Sequence, residues 1–211
     1  MPRRGGGSGP CRVVAFNKPF DVLTQFTSST GRANLKDFIP IPGIYPVGRL
    51  DRDSEGLLLL TDDGPLAHRL TDPRFEHPKT YLVQVERIPD EVALDRLRNG
   101  IELKDGWSRP AEVELLDEEA HLPARAVPIR FRKNVPTVWL RVVLREGRNR
   151  QLRRMTAAVG HPTLRLVRIA VGPIMLGDLA PGSWRDLSRQ ELAGLANVAR
   201  SRSLEKRPSS R

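Results

Sequence analysis

The apolar run from Leu57 to Leu60 is the feature that most constrains how this chain can fold. It follows Gly56 and ends at the turn signal Thr61-Asp-Asp-Gly64. A short continuous apolar run bounded by turn residues is typical of a buried strand that ends in a turn. The polar segment before it is therefore held at the edge of rigid structure, where loops often carry catalytic groups.

That segment, from Tyr45 to Glu55, crowds five charged side chains into a short loop: Arg49, Asp51, Arg52, Asp53 and Glu55. Two interpretations are open. The cluster is either a functional site built on the scaffold or a surface loop of solvated charges, which is the commoner case. The rest of the chain has to decide between them.

Composition excludes several classes of function. The chain has 211 residues, enough to bury a substantial core as one domain or two small lobes. The single Cys11 and the scattered histidines give no disulfide framework and no zinc spacing, so we expect a cytoplasmic protein without a metal. No apolar stretch reaches the ~20 residues that cross a bilayer, and the N-terminus lacks a signal peptide's apolar region, so we expect no membrane partner. Without a Walker loop or a dinucleotide fingerprint, we expect no cofactor.

The net charge of +10 suggests a polyanionic partner, but the charge is distributed unevenly. Residues 1–11 and 200–211 are rich in Gly, Ser, Pro and Arg, and we expect them to be disordered basic arms around a folded body at 12–199. Within the body, residues 145–168 hold seven arginines and one Glu. The body therefore carries a local basic patch of its own.

Hydrophobic periodicity predicts an α+β fold. Alternation predicts strands at 12–16, 22–26, 79–86, 127–132 and 137–145, a hairpin of 101–104 with 111–116, and a β-like segment at 164–175. Helical spacing predicts helices at 35–38, 65–71, 89–99 and 149–159, and a last helix capped by Ser188. Hairpins without regular strand–helix alternation favour a mostly antiparallel, mixed sheet with flanking helices. A hinge between two lobes would fall near 76–80 or 117–127.

The predicted helix at 149–159 places Arg150, Arg153 and Arg154 on one face. Cations in the first turns of a helix oppose its macrodipole at a cost of ~0.3–1 kcal/mol each, so an anion should compensate them. The anion is either an intramolecular carboxylate or a phosphate of RNA or DNA. If Asp51 is a working carboxylate, one of these arginines is its natural charge partner.

Three segments, taken in order, resemble a known family. They are Gly48-Arg-Leu-Asp51 with Ser54-Glu-Gly-Leu-Leu-Leu-Leu-Thr61, then Lys79-Thr-Tyr81, then Gly147-Arg-Asn-Arg-Gln-Leu-Arg-Arg-Met155. Together they resemble the RsuA/RluB/RluE/RluF branch of RNA pseudouridine synthases, over roughly residues 12–190. Members of this branch commonly begin with a small RNA-binding S4 domain, which we expect to be absent because the first catalytic strand begins at Arg12. Ser54, Asp62 and Ala170 depart from the family's usual residues, but none of these changes removes a group that the reaction needs.

The resemblance implies two lobes around a central cleft and a cofactor-free isomerisation of uridine in a stem-loop of large-subunit ribosomal RNA, by a monomer. It assigns Asp51 as the catalytic carboxylate, Arg153 as its salt-bridge partner, and Tyr81 as the residue that stacks on the target base. By position alone, Tyr81 is either a half-buried sheet residue or a platform for a nucleobase. Arg49 matches the side chain that fills the gap left by the flipped base. Further RNA contacts are expected from Arg52, Lys79, Arg148, Arg150, Arg154 and Arg168.

Three chemical routes and two other classes of function remain open at this stage. The carboxylate could add to the sugar C1′, remove the C2′ proton to give a glycal, or add to the base C6. The competing class is a non-catalytic RNA-binding or ribosome-assembly protein on the same fold. A DNA-binding protein would explain the charge, but it gives no reason for the Asp51 loop.

Overall fold

The computed structural model describes residues 11–129 and 132–195, so the predicted arms lie outside the described residues except for Cys11. The helices are α1 (Gly64–Thr71), α2 (Glu91–Asn99) and α3 (Gln151–Ala158), with 3-10 turns at Leu35–Asp37 and Pro73–Phe75 and helical residues at 189–195. The strands are β1 (Val13–Lys18), β2 (Tyr45–Pro46), β3 (Glu55–Thr61), β4 (Lys79–Glu86), β5 (Glu102–Leu103), β6 (Gly106–Trp107), β7 (Glu112–Leu115), β8 (Thr137–Leu144), β9 (Thr163–Val171), β10 (Ile174–Met175) and β11 (Trp184–Asp186).

Nine of the strands form one sheet in the order β11-β1-β3-β9-β4-β8-β7, with β2 beside β3 and β10 beside β9. Every pairing in it is antiparallel except that of β3 with β9. The remaining strands, β5 and β6, form a separate two-stranded ribbon. The predicted α+β class with a mostly antiparallel, mixed sheet is confirmed.

The leucine run is continuous because β3 is covered on both faces. Leu57 and Leu59 pack into a cluster with α1 and β10, whereas Leu58 and Leu60 pack into a second cluster with β1 and the first 3-10 turn. A strand buried on one face would alternate apolar and polar residues, but here both sets of positions are apolar. Each buried leucine stabilises the fold by roughly 1.5–3 kcal/mol.

The two halves of the sheet meet at a short seam. A third apolar cluster packs β4, β7 and β8 against α2 and α3 in the other half. Between the halves, β3 and β9 pair in parallel at only two positions, Glu55 with Val167 and Gly56 with Arg168. A Cβ added to Gly56 would lie 2.3 Å from the carbonyl oxygen of Arg168, and its φ is +98°, so only glycine fits here. The charged loop of residues 47–54 therefore enters the sheet directly at this seam.

Two of the predicted strands are wrong. Residues 22–26 form no strand, and Leu23 makes only an isolated bridge with Asn34. Before it, Pro19 has no N–H to donate and Asp21 adopts a φ of +64°, which together interrupt an extended run. Residues 127–129 also form no strand, and Pro128 removes a donor there; residues 130–131 lie outside the described part of the chain.

Two other elements differ in extent. The strand at 101–104 does not pair with 111–116, because Gly106, with a φ of +98°, closes a tighter turn to Trp107 and leaves β7 to pair with β8. The last basic helix begins at Gln151 rather than 149, since Arg150 adopts a left-handed conformation with a φ of +48°. Arg150 therefore precedes the helix instead of lying on its face.

Candidate active site

The loop of residues 47–54 is fixed by hydrogen bonds to its backbone. The buried Thr24 hydroxyl donates to the Leu50 carbonyl at 2.7 Å and accepts from the Leu50 N–H at 3.3 Å. The Arg52 carbonyl accepts from the Asp21 N–H at 2.9 Å and from the Lys18 ammonium at 3.3 Å. The loop is therefore held by hydrogen bonds on both sides of Asp51.

A cleft of about 630 Å³ opens above this loop and between the two halves of the sheet. Eight of the ten predicted site residues line it: Arg49, Asp51, Arg52, Lys79, Tyr81, Arg148, Arg150 and Arg168. The lining carries six cationic side chains against two carboxylates, those of Asp51 and Glu146. This surplus of positive charge in a concave surface favours a polyanion.

Asp51 faces Arg150 across the cleft without being hydrogen-bonded to it. The Arg150 Nη1 lies 3.7 Å from Asp51 Oδ2, and the Asp51 side chain is 29% exposed. The two nitrogens of the Arg150 guanidinium donate instead to the two carboxylate oxygens of Asp53, both at 2.8 Å. Asp51 thus has a nearby positive charge but keeps its oxygens free of that guanidinium.

The predicted salt bridge from Arg153 to Asp51 is not formed in this structure. Arg153 pairs with Asp53, with 3.3 Å between Nε and Oδ2, and its Nη2 donates to the Asp53 backbone carbonyl at 2.6 Å. The Arg153 side chain is only 13% exposed and lies behind the loop, not on the cleft surface. Asp53, which sequence reasoning left unassigned, is therefore the residue that gathers both arginines.

Charge and burial oppose each other at this cluster. Burial disfavours the charged form of Asp53, but the hydrogen bonds from Arg150 and the charges of Arg150 and Arg153 outweigh it and lower the pKa of Asp53. Burial also lowers the pKa of Arg153, in spite of the attraction from Asp53. The cluster is consequently an ionised triad, in which Arg150 reaches the cleft while Arg153 lies behind the loop.

The opposite wall comes from the sheet. Tyr81 on β4 is mostly buried and stands opposite Arg168 of β9 and Val142 of β8. The Nε of Arg168, also buried, donates to the Leu57 carbonyl at 2.8 Å across the seam. Burial, reinforced by the charge of Arg168, lowers the pKa of Lys79 to about 8. An aromatic ring and two cations therefore face the Asp51 loop.

The basic helix uses its other arginines internally. Arg154 donates to both carboxylate oxygens of Asp105, at 2.6 and 3.2 Å, and does not line the cleft. Arg148 donates to the buried Glu146 at 3.2 Å and to backbone carbonyls of the β5–β6 ribbon. The compensating anion was expected to be either an intramolecular carboxylate or a phosphate. For Arg150, Arg153 and Arg154 the structure provides intramolecular carboxylates.

Arg49 and Arg52 are exposed at the front of the loop. Arg52 pairs with Asp21 at 3.2 Å, both side chains being roughly half exposed. Arg49 lines the cleft and makes no ion pair within the part of the chain that the structure describes. Arg49, unlike Arg52, can therefore bind an anion without first breaking an ion pair.

Sequence reasoning gave no role to four buried charged residues that shape the site. Lys18 is fully buried and donates to three carbonyls, those of Pro19, Val22 and Arg52, and burial lowers its pKa to about 8. Glu55 and Arg165 form a buried two-bond pair, at 3.0 and 2.8 Å, across the seam. Glu146 accepts from Arg148, from Gln151 and from the backbone N–H of Arg109. Two of them left a sequence signal, Glu55 as a member of the charged loop and Glu146 as the one acidic residue in the basic run 145–168.

Two other features bear on the class of protein. Among the described residues, no three His, Cys, Asp or Glu side chains gather into a group that could hold a metal ion. No helix in the same part of the chain is long and apolar enough to cross a membrane.

A carboxylate within a cationic cleft at the junction of a mixed sheet is an arrangement suited to binding a polyanion. A family profile described as RNA pseudouridylate synthase matches residues 12–158. The chain is 54% identical over 83% of its length to ribosomal large subunit pseudouridine synthase E of Vibrio parahaemolyticus, and covers 74% of that protein. It is 57% identical over 82% of its length to the protein of the same name from Xanthomonas campestris, and covers 94% of it.

A solved structure, a crystal structure of a pseudouridylate synthase, agrees with these matches. It superposes with a TM-score of 0.73 at 29% identity, covering 88% of this chain and 74% of that chain. The chain therefore belongs to the RNA pseudouridine synthase family, as its sequence motifs predicted.

Proposed function

We propose that this protein isomerises one uridine of large-subunit ribosomal RNA to pseudouridine, with Asp51 as the catalytic carboxylate. The names of relatives at 54% and 57% identity support the choice of RNA. The observation that carries the assignment of Asp51 is its position. It is the one carboxylate of the Asp51–Glu55 loop that lines the cationic cleft, since Asp53 and Glu55 are engaged by arginines behind it.

The reaction needs few protein groups. The N1–C1′ bond breaks, the uracil turns, and C5 bonds to C1′; the C5 proton is lost and N1 gains one. Asp51 either adds to C1′, removes the C2′ proton to give a glycal, or adds to C6, and each route needs an ionised carboxylate shielded from water. The Arg150 guanidinium places a positive charge 3.7 Å from the Asp51 carboxylate without a hydrogen bond to its oxygens.

The other cleft residues receive roles in holding the RNA. Tyr81 forms the flat wall on which the flipped uracil stacks, and Arg49 fills the place that the base leaves in the RNA. Base flipping costs a few kcal/mol, which an unpaired or loop uridine reduces. Arg52, Lys79, Arg148, Arg150 and Arg168 supply positive charge for phosphates, and Arg154 contributes at the outer edge of this surface.

The test is release of tritium from ribosomal RNA labelled at uridine C5. We expect turnover by the wild type and none by Asp51→Asn, which keeps the side-chain size but removes the charge. Asp178→Asn, an exposed acid that does not line the cleft, is the matched control and should remain active.

Binding of the same RNA separates catalysis from recognition. Asp51→Asn should bind with nearly wild-type affinity, because it loses a negative charge that phosphates do not need. Substantial turnover by Asp51→Asn would reject the assigned residue. A wild type that binds the RNA tightly but releases no tritium would support the non-catalytic RNA-binding alternative instead.

A further inference from the structure

Trp107 is an unusually exposed aromatic side chain on a very small element. It is 65% exposed and ends the β5–β6 ribbon, whose two strands have two residues each. The ribbon is separate from the nine-stranded sheet. A tryptophan usually buries most of its large ring, so this exposure calls for an explanation.

The ribbon is fixed in place by two arginines of the basic segment. The Arg148 guanidinium donates to the carbonyls of Asp105, Gly106 and Trp107, at 3.4, 2.9 and 2.5 Å. Arg154 binds the Asp105 carboxylate through two hydrogen bonds. An isolated two-stranded ribbon is marginally stable in water, so these five bonds, together with the burial of Leu103 in the core, help to hold Trp107 in one position.

This position adjoins the cleft. Arg148 lines the cleft and also donates to the Trp107 carbonyl, so the Trp107 backbone lies one arginine side chain away from the cleft wall. The wall carries the six cations described above. A cationic groove with an aromatic side chain beside it is how proteins bind unpaired nucleic acid strands, the cations holding phosphates and the ring stacking on a base.

We propose that Trp107 stacks on an unpaired nucleobase of the substrate RNA, next to the segment that carries the target uridine. This inference rests on the proposed function for the identity of the RNA. The other exposed ribbon residues (Glu102, Lys104, Asp105 and Gly106) are polar or glycine, and Leu103 is buried, so the ribbon adds no apolar patch around the exposed ring. A docked protein needs such a patch, whereas a single base covers a single indole.

The direct test is binding of a ribosomal RNA stem-loop by Trp107→Ala and Trp107→Phe. Loss of one stacked base should weaken binding about tenfold in Trp107→Ala, and Trp107→Phe should recover most of it. Because no charge changes, the slope of log K against log salt should stay at the wild-type value. The matched control is Tyr45→Ala, which removes an aromatic that is 66% exposed but does not line the cleft, and it should bind as the wild type does.

RNAs with one abasic nucleotide identify the partner base. An RNA that lacks the base stacked on Trp107 should bind Trp107→Ala and the wild type with equal affinity. An RNA that lacks a base elsewhere should keep the tenfold difference in affinity between the two proteins. Acrylamide quenching gives a second readout on the unmutated protein. The part of the wild-type quenching that comes from Trp107 is the part that is lost in Trp107→Phe. RNA should suppress that part in the wild type.

Each outcome decides the proposal. Wild-type affinity in Trp107→Ala, an equal penalty on every abasic RNA, or an indole that stays open to acrylamide in the complex would overturn it. Failure of the proposed function looks different, since a wild type without tritium release could still show the position-specific Trp107 effect.

Discussion

Gly56 is the residue whose replacement should most damage the seam on which the Asp51 loop depends. In Gly56→Ala, the new Cβ would meet the Arg168 carbonyl oxygen at 2.3 Å and the Arg168 nitrogen at 2.8 Å. These are backbone atoms, so no side-chain rotation relieves the contact. The residue would also have to keep a φ of +98°, which L side chains rarely adopt.

The cost can be estimated in two parts. The positive φ costs on the order of 1–3 kcal/mol. Moving β9 away weakens a parallel pairing of only two positions, at about 1 kcal/mol for each hydrogen bond lost. We expect a total loss of about 3–5 kcal/mol, a large part of the 5–15 kcal/mol by which a domain is typically stable.

Two other glycines separate strain from collision. Gly43 has a φ of +74° but nothing within 4 Å of a built Cβ, so Gly43→Ala should cost only the strain, roughly 1–2 kcal/mol. Gly64 has open space and no positive φ, so Gly64→Ala should change stability by less than about 0.5 kcal/mol. Urea unfolding of the three variants measures these differences.

The result that would refute this reasoning is a Gly56→Ala variant no less stable than Gly43→Ala. If the seam positions the loop, Gly56→Ala should also lose turnover when it is assayed without urea, at a temperature where it is fully folded. Gly43→Ala should keep its turnover under the same conditions.

Three further predictions concern charged residues at the site. Glu55→Gln should lower the free energy of unfolding by about 3–5 kcal/mol, because Arg165 would be left buried without its charged partner. In urea unfolding, the double variant with Arg165→Met should recover most of this loss. Additive losses in the double variant would contradict the prediction. Burial lowers the pKa of Lys79 to about 8, so RNA affinity should fall as pH rises above about 8 and Lys79 loses its proton. Lys79→Arg should abolish that fall. An identical dependence of affinity on pH in the variant would exclude a contact between Lys79 and a phosphate. Asp53→Asn should free Arg150 to bind a phosphate and should lower kcat. The slope of log K against log salt for RNA binding should then steepen by up to about 0.7 per phosphate gained. An unchanged slope would argue against this role of Asp53.

The sequence was informative wherever a local pattern has one physical meaning. The leucine run had to be a buried strand, and the structure explains it by cores on both faces of β3. The alternation at 137–145 and the helix at 89–99 were predicted for the same kind of reason and are present as β8 and α2. Family motifs brought together the cleft residues, which local patterns alone did not connect.

The failures share another cause, because they depend on which partner a segment chooses. The segment at 101–104 had two possible partners, and Gly106 decided for the nearer one. Arg153 had Asp51 and Asp53 as possible partners two residues apart, and spacing along the chain cannot distinguish them. The buried Lys18 satisfies its charge with backbone carbonyls, which have no sequence signature.

The choice of Asp53 by the arginines bears on how Asp51 could work. A carboxylate that attacks a carbon or removes a proton reacts through a lone pair on oxygen, and two hydrogen bonds from a guanidinium would take one lone pair on each oxygen. Here Asp53 takes the two bonds of Arg150 and the contacts of Arg153, while Asp51 is left with the Arg150 charge at 3.7 Å. Positive potential is thus separated from direct hydrogen bonding by placing a second carboxylate two residues along the same loop. In a loop with a single carboxylate, that group would itself be the acceptor for the hydrogen bonds of the arginines, and fewer of its lone pairs would be free for reaction.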